Sequence, residues 1–490
     1  MSKLVLAIDQ GTTGTTVLAV DPTLKVVGKA TAEFRQIFPQ SGWVEHDGAD
    51  IWESVEKATA ACLSENNLKA EDIGAIGITN QRETTCLFDN EGKQLHNFIV
   101  WQCRRTADFC TTLKEAGHEE LFQRKTGLVL DPYFSGTKMR WLLDHVDGAR
   151  GKVENGDARF GTIDSWLTYR LTGNQVHVTD ATNASRTLLM DLETCAWDDE
   201  LCGILEVPQS ALPEIRSCSE IYGTTKGLGF LPDGIPVAGI AGDQQAALFG
   251  QACFERGEAK CTYGTGCFLL MNTGNEIVYS QNGLLTTVGI KLGDEIHYAL
   301  EGAAFIGGAA VQWLRDGVKM IESAPDIEAL AETVDSSGDV SFVPALAGLG
   351  APHWRPEARG ILAGLTRDTH QGHIARAVLE GIALQNRDIL EAMRQDAGEL
   401  SNLKVDGGAS ANNLLMQYQA DVLNVACVRP EVVETTALGA AALAGMAVGV
   451  FAHQDEVRKV WREDKTFNPQ MNDEDRKRHI DKWQNAVQRA

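Results

Sequence analysis

Two short turns rich in glycine and threonine carry residue types suited to binding an anion. The first, Asp9-Gln10-Gly11-Thr12-Thr13-Gly14-Thr15-Thr16, lies between the apolar runs Leu4–Ile8 and Val17–Val20. No bulky side chain stands between Gly11 and Thr16, so backbone N–H groups can approach an anion closely while threonine hydroxyls donate to it. Asp9, at the mouth of the turn, is placed to hold a cation or a water. The second turn, Thr262-Tyr263-Gly264-Thr265-Gly266, feeds the apolar run Cys267–Met271 and repeats the design halfway along the chain. Such turns also serve plain steric needs. Two of them, one per half, point to a duplicated fold that clamps a nucleotide between its halves.

Other reactive types stand where strands should end. Ile73–Thr79 reads as a buried strand, and Asn80-Gln81-Arg82-Glu83-Thr84 follows its carboxyl end, where open α/β sheets place ligands. Arg82 beside Glu83 offers planar donors next to an acceptor, the set that fixes vicinal hydroxyls; a surface ion pair is the other reading. Asp243 follows the apolar strand Pro236–Ala241 and opens a helix through Phe249. It serves there as an N-cap, as a carboxylate that takes a proton from an attacking hydroxyl, or as both. Trp101 and Tyr133 follow the apolar runs Asn97–Val100 and Leu128–Leu130, the second also read as a strand. Either ring can stack on a carbon backbone or close a core. Arg104 and Arg105 read as a solvated basic edge. Gly308 precedes a helix over Ala309–Gly317 that carries Gln312, and a glycine there lets a nucleotide lie against the backbone. Asp406-Gly407-Gly408-Ala409-Ser410 is a third glycine turn, between a strand and a helix that starts at Ala411.

The elements that position these residues alternate between strand and helix, which predicts an α/β fold. Lys25–Ala30 extends the first hairpin to a three-strand meander. A helix from about Ala49 to Glu65 is capped by Asp47, with Ile51, Val55, Ala58 and Cys62 on one face. Further helices are expected over Phe160–Leu171, with a polar loop Thr179–Ser185 after it, and over His370–Gln395. Ser341–Gly364 reads as an irregular loop. Thr436–Val450 is so rich in Ala and Gly that another backbone must pack closely on it, and the charged chain beyond Asp455 reads as a peripheral helical tail. A length of 490 residues exceeds one core. The balance of 44 Lys+Arg against 67 Asp+Glu gives −23, which argues against nucleic acid as a partner. Eleven cysteines without a Cys-x-x-Cys pair fit free thiols in a cytoplasmic setting. No membrane span or signal peptide is expected.

Taken together the motifs resemble a known family. Asp-Gln-Gly-Thr-Thr at 9–13 and Thr-Tyr-Gly-Thr-Gly at 262–266 resemble the phosphate hairpins of the actin/hexokinase-type (ribonuclease H-like) ATPase fold, and Asp-Gly-Gly-Ala at 406–409 its adenosine motif. The runs at 42–47, 77–85, 99–106, 131–138, 182–187 and 239–250 are similar to those of the FGGY carbohydrate kinases, most of all to the glycerol kinases among them. The resemblance implies two such domains, about 1–251 and 252–490, around a cleft, and ATP-dependent phosphorylation of glycerol. By motif position Arg82, Glu83, Tyr133, Asp243 and Gln244 would hold the glycerol hydroxyls, with Trp101 and Phe268 along its carbon edge and Asp243 as general base. Thr12, Thr13, Gly14 and Thr265 would grip the phosphates of ATP; Gly308, Gln312, Gly408 and Asn412 would line the nucleotide; Asp9 and Asp243 would face Mg²⁺ through waters. A homo-dimer or homo-tetramer is also implied. Another polyol or ketose is the alternative acceptor, and a filament or chaperone ATPase of the same fold the alternative class. Three departures stand out. Thr16 replaces the arginine usual in such kinases. Thr224–Asp233 lacks the glycine-rich loop that binds fructose 1,6-bisphosphate in some relatives. No histidine lies between His177 and His297 to accept a regulatory phosphate.

Overall fold

A computed structural model describes residues 3–490 of the protein. Leu4–Gln10 is the inner strand of a six-stranded sheet. On one side it pairs antiparallel with Gly14–Val20, which pairs antiparallel with Val26–Glu33. On the other it pairs parallel with Ile73–Asn80, then comes Pro236–Gly242, also parallel, and the antiparallel edge Ser219–Thr224. The second half repeats this order. Glu258–Tyr263 has Cys267–Gly274 and Glu295–Ala304 antiparallel on one side. Asn402–Asp406 and Cys427–Pro430 run parallel on the other, and Glu463–Phe467 closes the edge antiparallel. One strand is added, Leu285–Leu292, beyond Glu295–Ala304. The duplication implied by the two turns is therefore a duplication of strand order.

Leu6 and Ile8 on one face of the inner strand, and Val5 and Ala7 on the other, are all buried, because helices cover both faces. Helix Gly48–Glu65 starts as expected, with Asp47 accepting from the Ala49 N–H at 2.9 Å. It packs Ile51, Val55 and Cys62 against Leu6, Ile8 and Ile78. The opposite face is covered by Thr435–Ala447 from the far end of the chain, through Ala437, Ala440, Ala441 and Ala444. A Cβ at Gly77 would stand 2.2 Å from the Ala440 carbonyl oxygen, and one at Gly439 only 1.9 Å from that of Ala246. Backbone meets backbone there, so the Ala- and Gly-rich composition of this helix is a packing requirement that crosses between the halves.

Several expectations change. Leu128–Leu130 is not a strand: it follows a left-handed Gly127 that ends helix Glu119–Thr126, and it is apolar because Leu128 and Leu130 enter a core. Phe160 belongs to strand Ala158–Gly161, which pairs with Cys86–Asp89, and the helix begins only at Ile163. Thr179–Ser185 is not a loop. Val178–Asp180 pairs with Glu214–Arg216, and Asp180 caps the short helix Ala181–Ala184, so its polar groups bond each other instead of water. Ser341–Gly364 contains the strand pair Ser341–Val343 and Ile361–Ala363. The charged terminal region is integral: Glu463–Phe467 edges the sheet, and buried Trp483 donates from Nε1 to Asp388 at 2.7 Å.

Candidate active site

Ile73–Asn80 and Pro236–Gly242 are parallel neighbours, with Asn80 opposite Gly242, so their carboxyl ends deliver Arg82 and Asp243 to one place. Arg82 Nε lies 3.1 Å from Asp243 Oδ1. Asp243 is the first residue of helix Asp243–Gly250, and the cap position falls to Gly242, so the N-cap reading does not hold. Its Oδ1 instead accepts from the Gln244 N–H at 2.7 Å, and its side chain stays 32% exposed.

Arg82 and Glu83 are no surface pair; their side chains are each 2% exposed. Arg82 Nη2 donates to Glu301 Oε1 at 3.0 Å and Nη1 to Gln245 Oε1 at 3.2 Å. Glu83 sits at φ +61, a left-handed conformation that a side chain adopts at a cost of about 1 kcal/mol or more. Its carboxylate accepts from Arg186 Nε at 2.7 Å, and Arg186 Nη2 donates to Glu301 Oε1 at 2.9 Å. Two guanidiniums and two carboxylates thus share a buried cluster. Burial works to raise the pKa of Glu301, yet Arg186 and Arg82 bring it down to about 2. At Glu83 burial outweighs Arg82 and Arg186, and its carboxyl is held above the usual range. The Tyr133 hydroxyl stands 3.5 Å from Arg82 Nη2, and its ring meets Trp101 edge to face at 5.6 Å. Trp101 Nε1 donates to Thr12 Oγ1 at 3.0 Å, which ties the aromatic wall to the first turn. Gln244 Oε1 accepts from Lys260, whose Nζ also reaches the carbonyl of half-buried Phe268 at 3.4 Å. All seven residues expected around an acceptor are therefore joined by direct contacts or through one intermediary.

The first turn is shorter than expected. Gly11 N–H donates to Gly14 O at 2.9 Å, and the strand resumes at Gly14. Thr15 then bonds Ser54 at 2.7 Å and Thr16 bonds Thr31 at 2.9 Å across the ladder, leaving Thr12 and Thr13 at the turn. Thr16, at the position where the resemblance leads one to expect arginine, is thus a satisfied strand residue. In the second turn Gly264 and Thr265 are exposed. The carbonyl of Gly264 accepts from Gly308 N–H at 2.8 Å, and that of Thr265 from Gly307 and Ala309 at 2.8 and 3.0 Å. A Cβ at Gly308 would stand 2.8 Å from the Gly264 oxygen, so the turn and the helix start touch through backbone. That helix runs Gly308–Gln312, with Gln312 exposed, and widens to a π turn at Trp313–Gly317. Gly407 at φ +82 passes the Tyr263 backbone, where a Cβ would meet oxygen at 2.7 Å, and Gly408 faces open space. The following helix, Asn413–Leu423, begins after a short 3₁₀ turn, and Asn412 caps it by accepting from Leu415 N–H at 2.8 Å.

Asp9 lies opposite Thr16 in the hairpin. Burial, with the Asp243 carboxylate adding to it, pushes its pKa up to about 7. A pair of neighbouring carboxylates suits a hard divalent cation. Among the described residues no cluster of three or more His, Cys, Asp or Glu is placed to hold a metal; the carboxylates of Asp9 and Asp243 are oxygen donors of the kind Mg²⁺ takes beside its waters. The folded state holds the Asp9 proton up to about pH 7, whereas the unfolded chain releases it near its ordinary value of 3.8. This group's contribution therefore costs stability as pH rises between those values. Asp9→Asn is expected to raise the thermal midpoint of the ligand-free protein at pH 8 and to leave it nearly unchanged at pH 4. A midpoint no higher than the parent's at pH 8 would contradict the assignment.

Sequence reasoning passed over Glu301, Arg186 and Lys260, and misread Arg105. The signal available for Glu301 and Lys260 was a charged residue inside an apolar inner strand, Ala299-Leu300-Glu301 and Ala259-Lys260-Cys261, where solvation is impossible without a partner. The Arg105 side chain is not on a solvated edge. It is fully buried, 3.8 Å from the Trp43 ring centroid and 4.6 Å from that of Trp141, and donates to Glu45 at 2.6 Å.

Comparison with known proteins bears on the family and the fold. Residues 4–250 match the N-terminal domain, and residues 259–448 the C-terminal domain, of the FGGY family of carbohydrate kinases. The chain is similar to a glycerol kinase of Myxococcus xanthus, with 61% identity over 100% of this chain and 99% of that protein. A glycerol kinase of Deinococcus radiodurans is 57% identical over 100% and 97% of the two chains. Among solved structures, Plasmodium falciparum glycerol kinase with ADP superimposes with a TM-score of 0.92 at 38% identity, covering 100% of this chain and 98% of that one.

Proposed function

The chain belongs to the FGGY family of carbohydrate kinases, and we propose that it transfers the γ-phosphoryl group of ATP to glycerol, giving sn-glycerol 3-phosphate and ADP. The single observation that carries the chemistry is the 3.1 Å approach of Arg82 Nε to Asp243 Oδ1 at two adjacent strand ends. A donor that fixes a hydroxyl thereby stands beside a carboxylate that accepts its proton. Full-length likeness to proteins named glycerol kinase supports glycerol as the acceptor.

In this reading Asp243 takes the proton from the attacking hydroxyl, the new O–P bond forms, and the bond from the γ-phosphorus to the leaving oxygen of ADP breaks. Arg82, Glu83, Tyr133 and Gln244 orient the hydroxyls, and Trp101 and Phe268 cover the carbon edge and exclude water. Thr12, Thr13, Gly14 and Thr265 donate to the phosphates, and Gly308, Gln312, Gly408 and Asn412 flank the nucleotide. Asp9 and Asp243 would hold Mg²⁺ through waters, and when bound it would neutralise phosphate charge. A cytoplasmic setting is part of the proposal, supported by eleven unpaired cysteines, all buried. No described helix is long and apolar enough to cross a membrane. A homo-dimer or homo-tetramer is part of it too, and sedimentation velocity decides that point.

The test is ATP consumption with glycerol, erythritol, dihydroxyacetone and xylulose as acceptors. Glycerol is expected to give the highest kcat/KM. A higher value for any other acceptor, or ATP hydrolysis at full rate with none, would overturn the proposal.

A further inference from the structure

Lys260 lies in strand Glu258–Tyr263, beside the second phosphate turn, and is completely buried. A buried ammonium is costly unless each of its protons has an acceptor. Three acceptors from three segments surround Nζ. They are Gln244 Oε1 on the helix headed by Asp243, Thr262 Oγ1 at 3.0 Å on the entry to the turn, and the Phe268 carbonyl at 3.4 Å on its exit. Three acceptors match the three protons of the charged amine. Burial pulls its pKa below the ordinary lysine value, while Asp406, Cys261 and Asp243 act in the opposite sense and Arg82 adds to the lowering.

A lysine ammonium has no acceptor, so the amide atom that faces it must be the oxygen. That choice fixes both ends of the Gln244 side chain. Nε2 is the end not engaged by Lys260; it has no hydrogen-bond partner among the described residues and is not sealed from solvent. We propose that Lys260 is a positioning residue that holds Gln244 with an N–H donor, and not a carbonyl, presented to the acceptor alcohol. The inference rests on the preceding reading, in which Gln244 faces that alcohol. A neutral side chain at position 260 lets the carboxamide present either end, and a hydroxyl oxygen then loses its dedicated donor. The expected consequence is poorer selectivity. A site built to bond a hydroxyl rejects analogues lacking it because its own polar group would be left unpaired, and a carboxamide free to turn escapes that penalty.

The experiment uses the full chain and compares glycerol with propane-1,2-diol and propane-1,3-diol, each lacking one hydroxyl. Lys260→Met is expected to raise the glycerol KM about tenfold, the worth of one hydrogen bond, with a smaller change in kcat. It is also expected to shrink the preference for glycerol over the diol that the parent discriminates against more strongly. Lys260→Arg should restore part of that preference. The double variant Lys260→Met/Gln244→Ala should be no worse on glycerol than Gln244→Ala alone, because one residue acts through the other. Equal loss on all three alcohols, or multiplying effects in the double variant, would reduce Lys260 to a structural cation and overturn the proposal. Should Lys260→Met fail to fold, Gln244→Glu decides: it keeps a partner for Lys260 but offers the alcohol no donor, and glycerol affinity should fall at least about tenfold. Affinity equal to the parent's would overturn the proposal. A parent protein inactive on glycerol is a failure of the functional reading instead, and the same cycle on whichever acceptor it does use then tests Lys260.

Discussion

An Asp243→Asn enzyme should turn over glycerol about 10³-fold more slowly than the parent, within the range that a positioned general base supplies, while still binding glycerol. Asparagine keeps an oxygen for the Gln244 N–H, which donates at 2.7 Å in the parent, and beside Arg82 Nε, which lies 3.1 Å away. The geometry of the strand ends should therefore survive, and what disappears is the ability to take a proton. Phosphoryl transfer depends chiefly on positioning and charge neutralisation, which the variant largely retains. That is why the expected loss is thousands-fold and not millions-fold. Steady-state kinetics give kcat, and calorimetry with glycerol gives affinity. A variant with near-parental kcat would remove Asp243 as the base; one that no longer binds glycerol would show that it acts mainly as a substrate anchor.

Glu301→Gln is the second variant with a large expected effect. Glu301 comes from the second half of the chain and is held by two arginines of the first half, Arg82 and Arg186. Neutralising it leaves both guanidiniums buried with too little negative charge, and breaking a buried pair in this way costs about 3–5 kcal/mol. Whole domains are stable by only about 5–15 kcal/mol, so the thermal midpoint should fall markedly. The glycerol KM should rise as well, because Arg82 loses the partner that orients its terminal nitrogens. Acid titration supplies a separate readout. The folded pKa of Glu301, about 2, lies below its ordinary 4.5, with burial opposing and Arg186 and Arg82 lowering it. The stability it contributes is therefore complete above about pH 4.5 and lost as the pH falls toward 2. The variant should lack that part of the parent's acid sensitivity. A parental midpoint and KM would show that Glu301 is dispensable.

The parts of the fold that could be read from the chain are those whose reasons are local. Apolar runs on either side of Gly11–Thr13 and Gly264–Gly266 require hairpins. Apolar strands that end at Asn80 and Gly242 place Arg82 and Asp243 at carboxyl ends whatever surrounds them. The parts that escaped have causes remote in sequence. Arg82 and Glu301 are 219 residues apart, and Lys260 makes sense only beside Gln244. Arg105 looked solvated because its neighbour Arg104 is, and its aromatic partners Trp43 and Trp141 lie elsewhere in the chain. The terminal region looked peripheral because its charges outnumber its anchors, although Phe467 and Trp483 suffice to dock it. Asp243 was placed correctly yet assigned one role too many, since Gly242 takes the cap.

The helix Thr435–Ala447 has a consequence for how the chain is made. Val5, Ala7, Leu18, Val20, Ala75 and Ala238 form an apolar face of the first sheet, and what covers that face is synthesised about 200 residues after Ala238. Until it emerges from the ribosome, the first half carries an oily surface with nothing of its own to place there, the kind of surface that draws nascent chains into aggregates. A ribosome stalled near residue 251 therefore displays an unfinished object and not a completed domain. By the same logic, truncation before residue 435 wounds the amino-terminal half as surely as the carboxyl-terminal one.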